Sequence, residues 1–288
     1  MSILVATAAE LDARFPAPGA TRPARAVVMT MGALHDGHAE LMRVARREVG
    51  PQGVVIATVF VNPTQFGPGE DFERYPRTID DDVELCGRVG VDAVFAPAAD
   101  EVYGEAGRFR DDSVTVDPGP LGSVLEGASR PGHFRGVLTV VSKLMSLTRP
   151  DLALFGEKDY QQLALISRMV VDLSMRVRVL GVATVREADG LALSSRNRYL
   201  DETQRSIASV VPRALEAVVD AASAGSKDPV AAGLAVLAQE PGFRLDYLEL
   251  RGADLGEVPA AGPARVLIAG YVGQTRLIDN MAVQVTAS

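Results

Sequence analysis

Short runs of β-branched and apolar residues, separated by segments of helical periodicity, constrain this chain more than any other feature. Five runs stand out: "AVVM" at 26–29, "VVIATVFV" at 54–61, "VDAVFAP" at 91–97, "DLALFG" at 151–156 and "RVRVLGV" at 176–182. Their nearly continuous apolar character suits strands covered on both faces, as in a parallel sheet. Helical patterns fall between most of them. Residues 38–49 place Leu41, Val44, Ala45 and Val49 at helical spacing. Residues 78–89 carry Thr78 as the expected N-cap ahead of Asp80–Asp82, and 136–148 and 159–173 predict longer helices. The alternation predicts an α/β fold built on a doubly wound parallel sheet, in which ligands sit beyond the carboxyl ends of the strands. Loops 30–38, 62–77 and 156–162 occupy those places.

The pattern changes after about residue 184. A helix over 201–222 and another over 228–240 precede three strand candidates, "FRLDYLEL", "ARVLIAGYV" and "TRLIDNMAV". Helices followed by strands, without alternation, predict a smaller α+β domain. The expected division is therefore 1–184 and 185–288, joined by "VATVREADGLALSSRNRYLD".

Composition narrows the classes. With 288 residues and 47% hydrophobic content the chain can bury a core without staples, and a single cysteine, Cys86, excludes an intrachain disulfide. The start "MSILVATAAELDARF" makes a poor signal peptide, and no apolar run reaches the length of a membrane span, so a cytoplasmic location is expected. A net charge of −8 argues against a nucleic-acid-binding face, though not against a small anion held by a local cluster of cations.

Such clusters lie in the loops. "MTMGALHDGH" (29–38) follows a strand and opens a helix, with Gly32 and Gly37 allowing close turns and His35 and His38 three residues apart. A helix N-terminus there offers N–H groups to an anion. The same pair also fits a metal clip or a structural coincidence. Zinc needs a third and usually a fourth ligand, but Cys86 is remote, His133 is the only other histidine, and no HExxH pattern exists. "FGEKDYQQ" (155–162) repeats the strand-to-helix setting: Lys158 offers charge to phosphate and Asp159 could accept from hydroxyls, while Gln161 and Gln162 bond both ways. Its plainer reading is acidic Glu157 and Asp159 complementing a helix dipole. "LALSSRN" (191–197) is a mobile, polar, cationic element or a turn of small residues. The long loop in "FVNPTQFGPGEDFERYPRTIDDD" (60–82) carries Asn62 and Gln65. Its acidic triplet reads as a solvated helix start, or as a magnesium contact through Asp81. "LEGASRPGHFRGV" (125–137) holds Arg130, His133 and Arg135.

In order and over about 25–285, the segments "TMGALHDGH", "FVNPTQF", "YPRT", "LEG…RPGHFRGV", "FGEKDYQQ" and "VREADGLALSSRNRYLD" resemble the pantothenate synthetase family. More broadly, "HxGH" with "LSSR" in place of a "KMSKS"-type loop is similar to the nucleotidyltransferases related to class I aminoacyl-tRNA synthetases. The resemblance implies a Rossmann-like catalytic domain and a smaller C-terminal lid. It implies an ATP-dependent ligase joining pantoate to β-alanine through a pantoyl adenylate, with Mg²⁺ and as a homodimer. By the same resemblance Met31, Gly32, Ala33, Leu34, His35, Asp36, Gly37 and His38 line the ATP site, with His38 as proton donor and His35 on the phosphates. Gly156, Glu157, Lys158, Asp159, Val185, Leu193, Ser194, Ser195 and Arg196 complete it, Lys158 and Arg196 being the main cations. Gln65 and Gln162 are implied to hold pantoate, with Asn62, Arg130 and His133 as further substrate contacts. Two positions depart from the family's usual pattern: Met29 stands where a proline is common, and Thr64 where Met or Leu is.

Overall fold

The structure is a computed structural model that describes residues 2–16, 23–66, 72–104 and 113–286. Part of the expected 62–77 loop, residues 67–71, lies outside the described residues. The chain forms two compact units, Met1–Glu157 with Leu165–Val182, and Lys158–Ala164 with Ala183–Ser288.

The first unit runs β1 (Ile3–Val5), α1 (Ala8–Arg14), β2 (Arg25–Thr30), α2 (Asp36–Val49), β3 (Val54–Val59), α3 (Ile79–Arg88), β4 (Ala93–Phe95) and α4 (Ala99–Tyr103). It continues with α5 (Glu126–Ser129), α6 (His133–Thr148), β5 (Leu152–Gly156), most of α7 (Tyr160–Asp172) and β6 (Arg178–Val182). All six strands pair in parallel in the order β1-β4-β3-β2-β5-β6. The five expected runs became β2 to β6, and β2, β3 and β5 are buried along most of their length, as strands covered on both faces must be. Strand order reverses between β2 and β5, the switch point at which such sheets open a crevice. The turn after β2 carries the HxGH motif, and β5 ends at Gly156.

Alternation alone did not reveal β1 or α1. β1 is three residues long, and α1 hides in an alanine-rich stretch whose start is fixed by a capping box between Thr7 and Glu10. Thr78 is the N-cap of α3 as expected, but its side chain makes no capping bond; its hydroxyl turns to Asp82 instead.

The second unit contains α8 (Glu202–Ala208), α9 (Val210–Ser223), α10 (Val230–Leu237) and an antiparallel meander of β7 (Phe243–Gly252), β8 (Gly262–Val272) and β9 (Thr275–Val285). One helix was expected over 201–222; two are found, parted at Ser209. Pro212 explains the break, since it has no N–H for the Ala208 carbonyl and its ring crowds that turn. Val211, Leu215 and Val218 of α9 pack with Val266 and Ile268 of β8 in this unit's own core. Among the described residues no helix is long and apolar enough to cross a membrane.

Candidate active site

The β2–α2 turn is built around a buried carboxylate. Thr30 ends β2 with its hydroxyl donating to the Thr58 carbonyl (2.7 Å) and accepting from the Gly32 N–H (3.2 Å). Gly32 then takes φ +84°, and Ala33 follows at +50°, a conformation that side chains resist. Asp82 of α3 holds this turn, its Oδ2 accepting from Ala33 N–H (3.1 Å) and its Oδ1 from Leu34 N–H (2.8 Å). A Cβ on Gly32 would stand 2.9 Å from Asp82 Oδ2, so glycine is required both for φ and for space. Bonds from N–H groups to an ionised acceptor are worth about 1.5–3 kcal/mol each, enough to hold a strained residue in place.

Past that turn, His35 is the N-cap of α2, and the helix begins at Asp36 rather than near His38. The two histidines cap each other's backbone. Gly37 N–H donates to His35 Nδ1 (3.2 Å), and His35 N–H donates to His38 Nδ1 (3.3 Å), with ring centroids 4.1 Å apart. A backbone N–H can only donate, so each Nδ1 must be an acceptor and each neutral ring carries its proton on Nε2. Both rings are half-buried. This is a reciprocal helix cap that fixes the tautomer of both neutral rings.

The acidic triplet divides in an unexpected way. Asp82 is 2% exposed, whereas Asp81, the expected magnesium contact, lies exposed on α3. A signal for this existed: Ile79, Asp82, Val83 and Cys86 share one helical face, so Asp82 sits within the apolar stripe. Burial, with the nearby Asp82 charge second, pushes the Cys86 thiol up to about 12, which makes it a core side chain and not a nucleophile. Among the described residues no group of three or more His, Cys, Asp or Glu side chains could hold a metal.

A second cluster in the same unit surrounds Gln65, in the short helical turn Pro63–Gln65. Its amide Nε2 lies 3.1 Å from Met31 Sδ, and its Oε1 accepts from Asn62 Nδ2 (3.1 Å). Its backbone carbonyl is gripped by His133 Nδ1 (2.8 Å) and by Arg130 Nη2 (3.3 Å), while Arg130 Nη1 meets His133 Nε2 at 3.0 Å. Here the logic reverses. A carbonyl and a guanidinium leave His133 only one neutral arrangement, donating from Nδ1 and accepting at Nε2. Arg130 and His133, expected as substrate contacts, are thus tied to the backbone of Gln65. Gly136 in α6 lets the helix rest on this turn, because a Cβ there would lie 2.3 Å from the Thr64 carbonyl oxygen.

Apart from Gly156 and Glu157, the second unit holds the remaining expected residues. Gly156 and Glu157 close the first unit's β5; Lys158 and Asp159 begin the segment that belongs to the second, with Lys158 Nζ 3.8 Å from Asp159 Oδ1. Asn280 of β9 donates to the Lys158 carbonyl (2.8 Å). Gln161 is buried and Gln162 half-buried. The 191–197 stretch, read as a mobile cationic element or a turn of small residues, enters as the second arm of a short hairpin with 185–187. Leu193 N–H donates to the Val185 carbonyl (2.9 Å), Arg186 bridges Ala192, and Arg186 Nη1 pairs with buried Asp279 (2.7 Å). Ser194 caps the turn 195–199 by accepting from Arg196 N–H (3.3 Å). Glu187 is held below the usual carboxylate range by its bond from Arg205. Lys158, Ala192, Ser194, Arg196, Arg276 and Asp279 line one cleft of this unit. Asp279 is paired with Arg186, Arg276 is paired with Asp246 (2.7 Å), and Lys158 and Arg196 bring further positive charge to the cleft. Sequence reasoning missed Asp82, Asp279 and Asn280, each of which acts on a motif from a distant part of the chain.

Three comparisons bear on this arrangement. The family model described as Pantoate-beta-alanine ligase matches residues 4–282. The pantothenate synthetase of Saccharopolyspora erythraea is 57% identical over 257 residues, spanning 89% of this chain and 83% of that one. The crystal structure of pantothenate synthetase from Thermus thermophilus superposes with a TM-score of 0.87 at 48% identity, covering 97% of this chain and 98% of that one. Pantoate-beta-alanine ligase from Francisella tularensis, solved in complex with "Beta-gamma ATP and Beta-alanine", gives a TM-score of 0.77 at 31% identity over 98% and 97% of the two chains.

Proposed function

This chain belongs to the pantoate–β-alanine ligase family, and from that premise we propose how its residues carry the reaction. The enzyme condenses pantoate with β-alanine at the expense of ATP: pantoate's carboxylate attacks the α-phosphate, pyrophosphate leaves, and the β-alanine amine then displaces AMP from the acyl adenylate. A carboxylate approaching a polyanion needs preorganised positive charge and hydrogen-bond donors. His35 and His38 supply donors through Nε2–H to phosphate oxygens, and Lys158 and Arg196 supply charge. The backbone of Met31 to His38, Gly156 to Asp159, Val185 and Leu193 to Ser195 completes the nucleotide contacts. Gln65 and Gln162 meet pantoate, and Asn62, Arg130 and His133 act by holding Gln65.

One observation carries this reading: the reciprocal cap that puts the protons of His35 and His38 on Nε2. Magnesium binds through phosphate oxygens and few protein ligands. Exposed Asp81 fits a single contact of that kind, whereas both oxygens of Asp82 already take amide N–H groups. A homodimer in the cytoplasm completes the proposal.

Incubation with ATP and Mg²⁺, with and without pantoate and β-alanine, tests it. Pyrophosphate should form only with pantoate, and AMP should leave only when β-alanine is added. ATP binding without pantoate-dependent pyrophosphate would instead make the chain a nucleotide-binding protein without this activity.

A further inference from the structure

Asn62 has one carbonyl oxygen and receives three donors on it: Thr64 N–H at 3.3 Å, the Thr64 hydroxyl at 2.9 Å and the Tyr103 hydroxyl at 2.5 Å. Its NH₂ faces two acceptors, Gln65 Oε1 at 3.1 Å and the Gly136 carbonyl at 3.4 Å. A backbone N–H cannot accept and a backbone carbonyl cannot donate, so only this orientation of the Asn62 amide is possible. Asn62 is also 1% exposed. Thr64 Oγ1 also lies 3.3 Å from the Tyr103 oxygen, so the two hydroxyls and the Asn62 carbonyl form one cluster.

The consequence passes along the chain of bonds. Because Asn62 must donate to Gln65 Oε1, the Gln65 amide is fixed too, with its NH₂ turned toward Met31 Sδ. Thioether sulfur is a weak acceptor, and a carboxylate or hydroxyl oxygen competes for the same hydrogen with advantage. We propose that Tyr103, with Thr64, is a positioning residue: through Asn62 it fixes which end of the Gln65 amide meets the hydroxy-acid substrate. The inference rests on the reading that Gln65 meets pantoate. Burial pushes the Tyr103 phenol up to about 12, so it remains a donor throughout the working range of pH. Phe60 and Lys143 flank its ring at 6.1 and 5.6 Å and hold it in place without competing for the hydroxyl.

A double-mutant cycle on the full chain separates positioning from mere packing. Tyr103→Phe should lower kcat/KM for pantoate about three- to tenfold, the value of one good hydrogen bond, while the KM for ATP stays within about twofold. In a Gln65→Ala background the same substitution should cost less than about 1.5-fold, since the amide it orients is gone. Thr64→Val should lose more than Thr64→Ser, which keeps the hydroxyl, and this pair carries the test if Tyr103→Phe folds poorly by its melting curve. Equal losses in both Gln65 backgrounds, or a loss confined to ATP, overturn the inference alone. A Gln65→Ala enzyme with unchanged pantoate kcat/KM overturns the reading of Gln65, and the inference falls with it.

Discussion

Two histidine-bearing turns in the first unit use the same ring in opposite senses. At 35–38 the backbone donates to the rings, so the imidazoles serve as caps and keep their protons on Nε2. At 130–133 the ring donates to the backbone from Nδ1 and takes Arg130 at Nε2, so the imidazole is a strut beneath Gln65. A histidine's chemical role is set by which nitrogen its neighbours occupy, and neighbours that only donate or only accept leave no choice. A motif that contains histidine in a glycine-rich loop does not say which case applies.

The contrast breaks most sharply at the first turn. His38→Ala should slow adenylate formation by about 10²–10³, the usual cost of losing a transition-state donor, measured as pantoate-dependent pyrophosphate release. His35→Asn is the finer probe, because asparagine is as good an N-cap and lacks only the ring donor. It should lose about 10² in the same assay while stability changes by less than about 1 kcal/mol. Near-normal pyrophosphate release from either variant would return that histidine to a purely structural role.

Asp82→Asn tests what holds that turn. An amide places NH₂ against one of two backbone N–H groups, so unfolding in urea should show a loss of about 1.5–3 kcal/mol. An unchanged midpoint would mean that the strained Ala33 needs no carboxylate. His133→Ala should act on substrate use instead, cutting kcat/KM for pantoate about tenfold through misplacement of Gln65, with little change in ATP affinity. A selective loss of ATP binding would undo the distinction between the two turns.

The smallest effect belongs to the 186–192 hairpin, which charge rather than histidine secures. The Glu187 carboxyl is held below its usual range first by the bond from Arg205 and then by that from Asn197, against the cost of burial. A depressed carboxyl stabilises the fold above its unfolded pKa and loses that contribution as pH falls through the folded value. Glu187→Gln should therefore cost about 0.5–1 kcal/mol near neutral pH, and the gap in melting temperature should close below about pH 4. A gap that persists in acid would assign the loss to packing.

Much of this was legible before any coordinates. Five apolar runs gave their strands: β2 to β5 are mostly buried and leave no room for polar alternation, whereas β6 lies at the sheet edge and is only half-buried. The loops at their carboxyl ends carried His35, His38, Gln65 and Lys158. What escaped was long-range. Asp82 looked like part of a solvated acidic helix start, yet it supports Ala33 and Leu34, 49 and 48 positions away. Asn280 reaches back 122 positions to the Lys158 carbonyl. Local patterning cannot show such bonds, since either residue would look the same on a wet surface. Tyr103 ended an unremarkable short helix, and its partner Asn62 was read only for its own side chain. The Pro212 break was readable in principle but was overridden by the strong periodicity around it.

Only three histidines are present, so one spectrum addresses the central claim directly. A two-bond ¹H–¹⁵N correlation on protein labelled with ¹⁵N-histidine, at a pH where the rings are neutral, distinguishes the Nε2–H from the Nδ1–H tautomer. With His35→Asn, His38→Ala and His133→Ala as assignment aids, His35 and His38 should show Nε2–H and His133 should show Nδ1–H. Nδ1–H at His35 or His38 would contradict the reciprocal cap and, with it, the roles built on it.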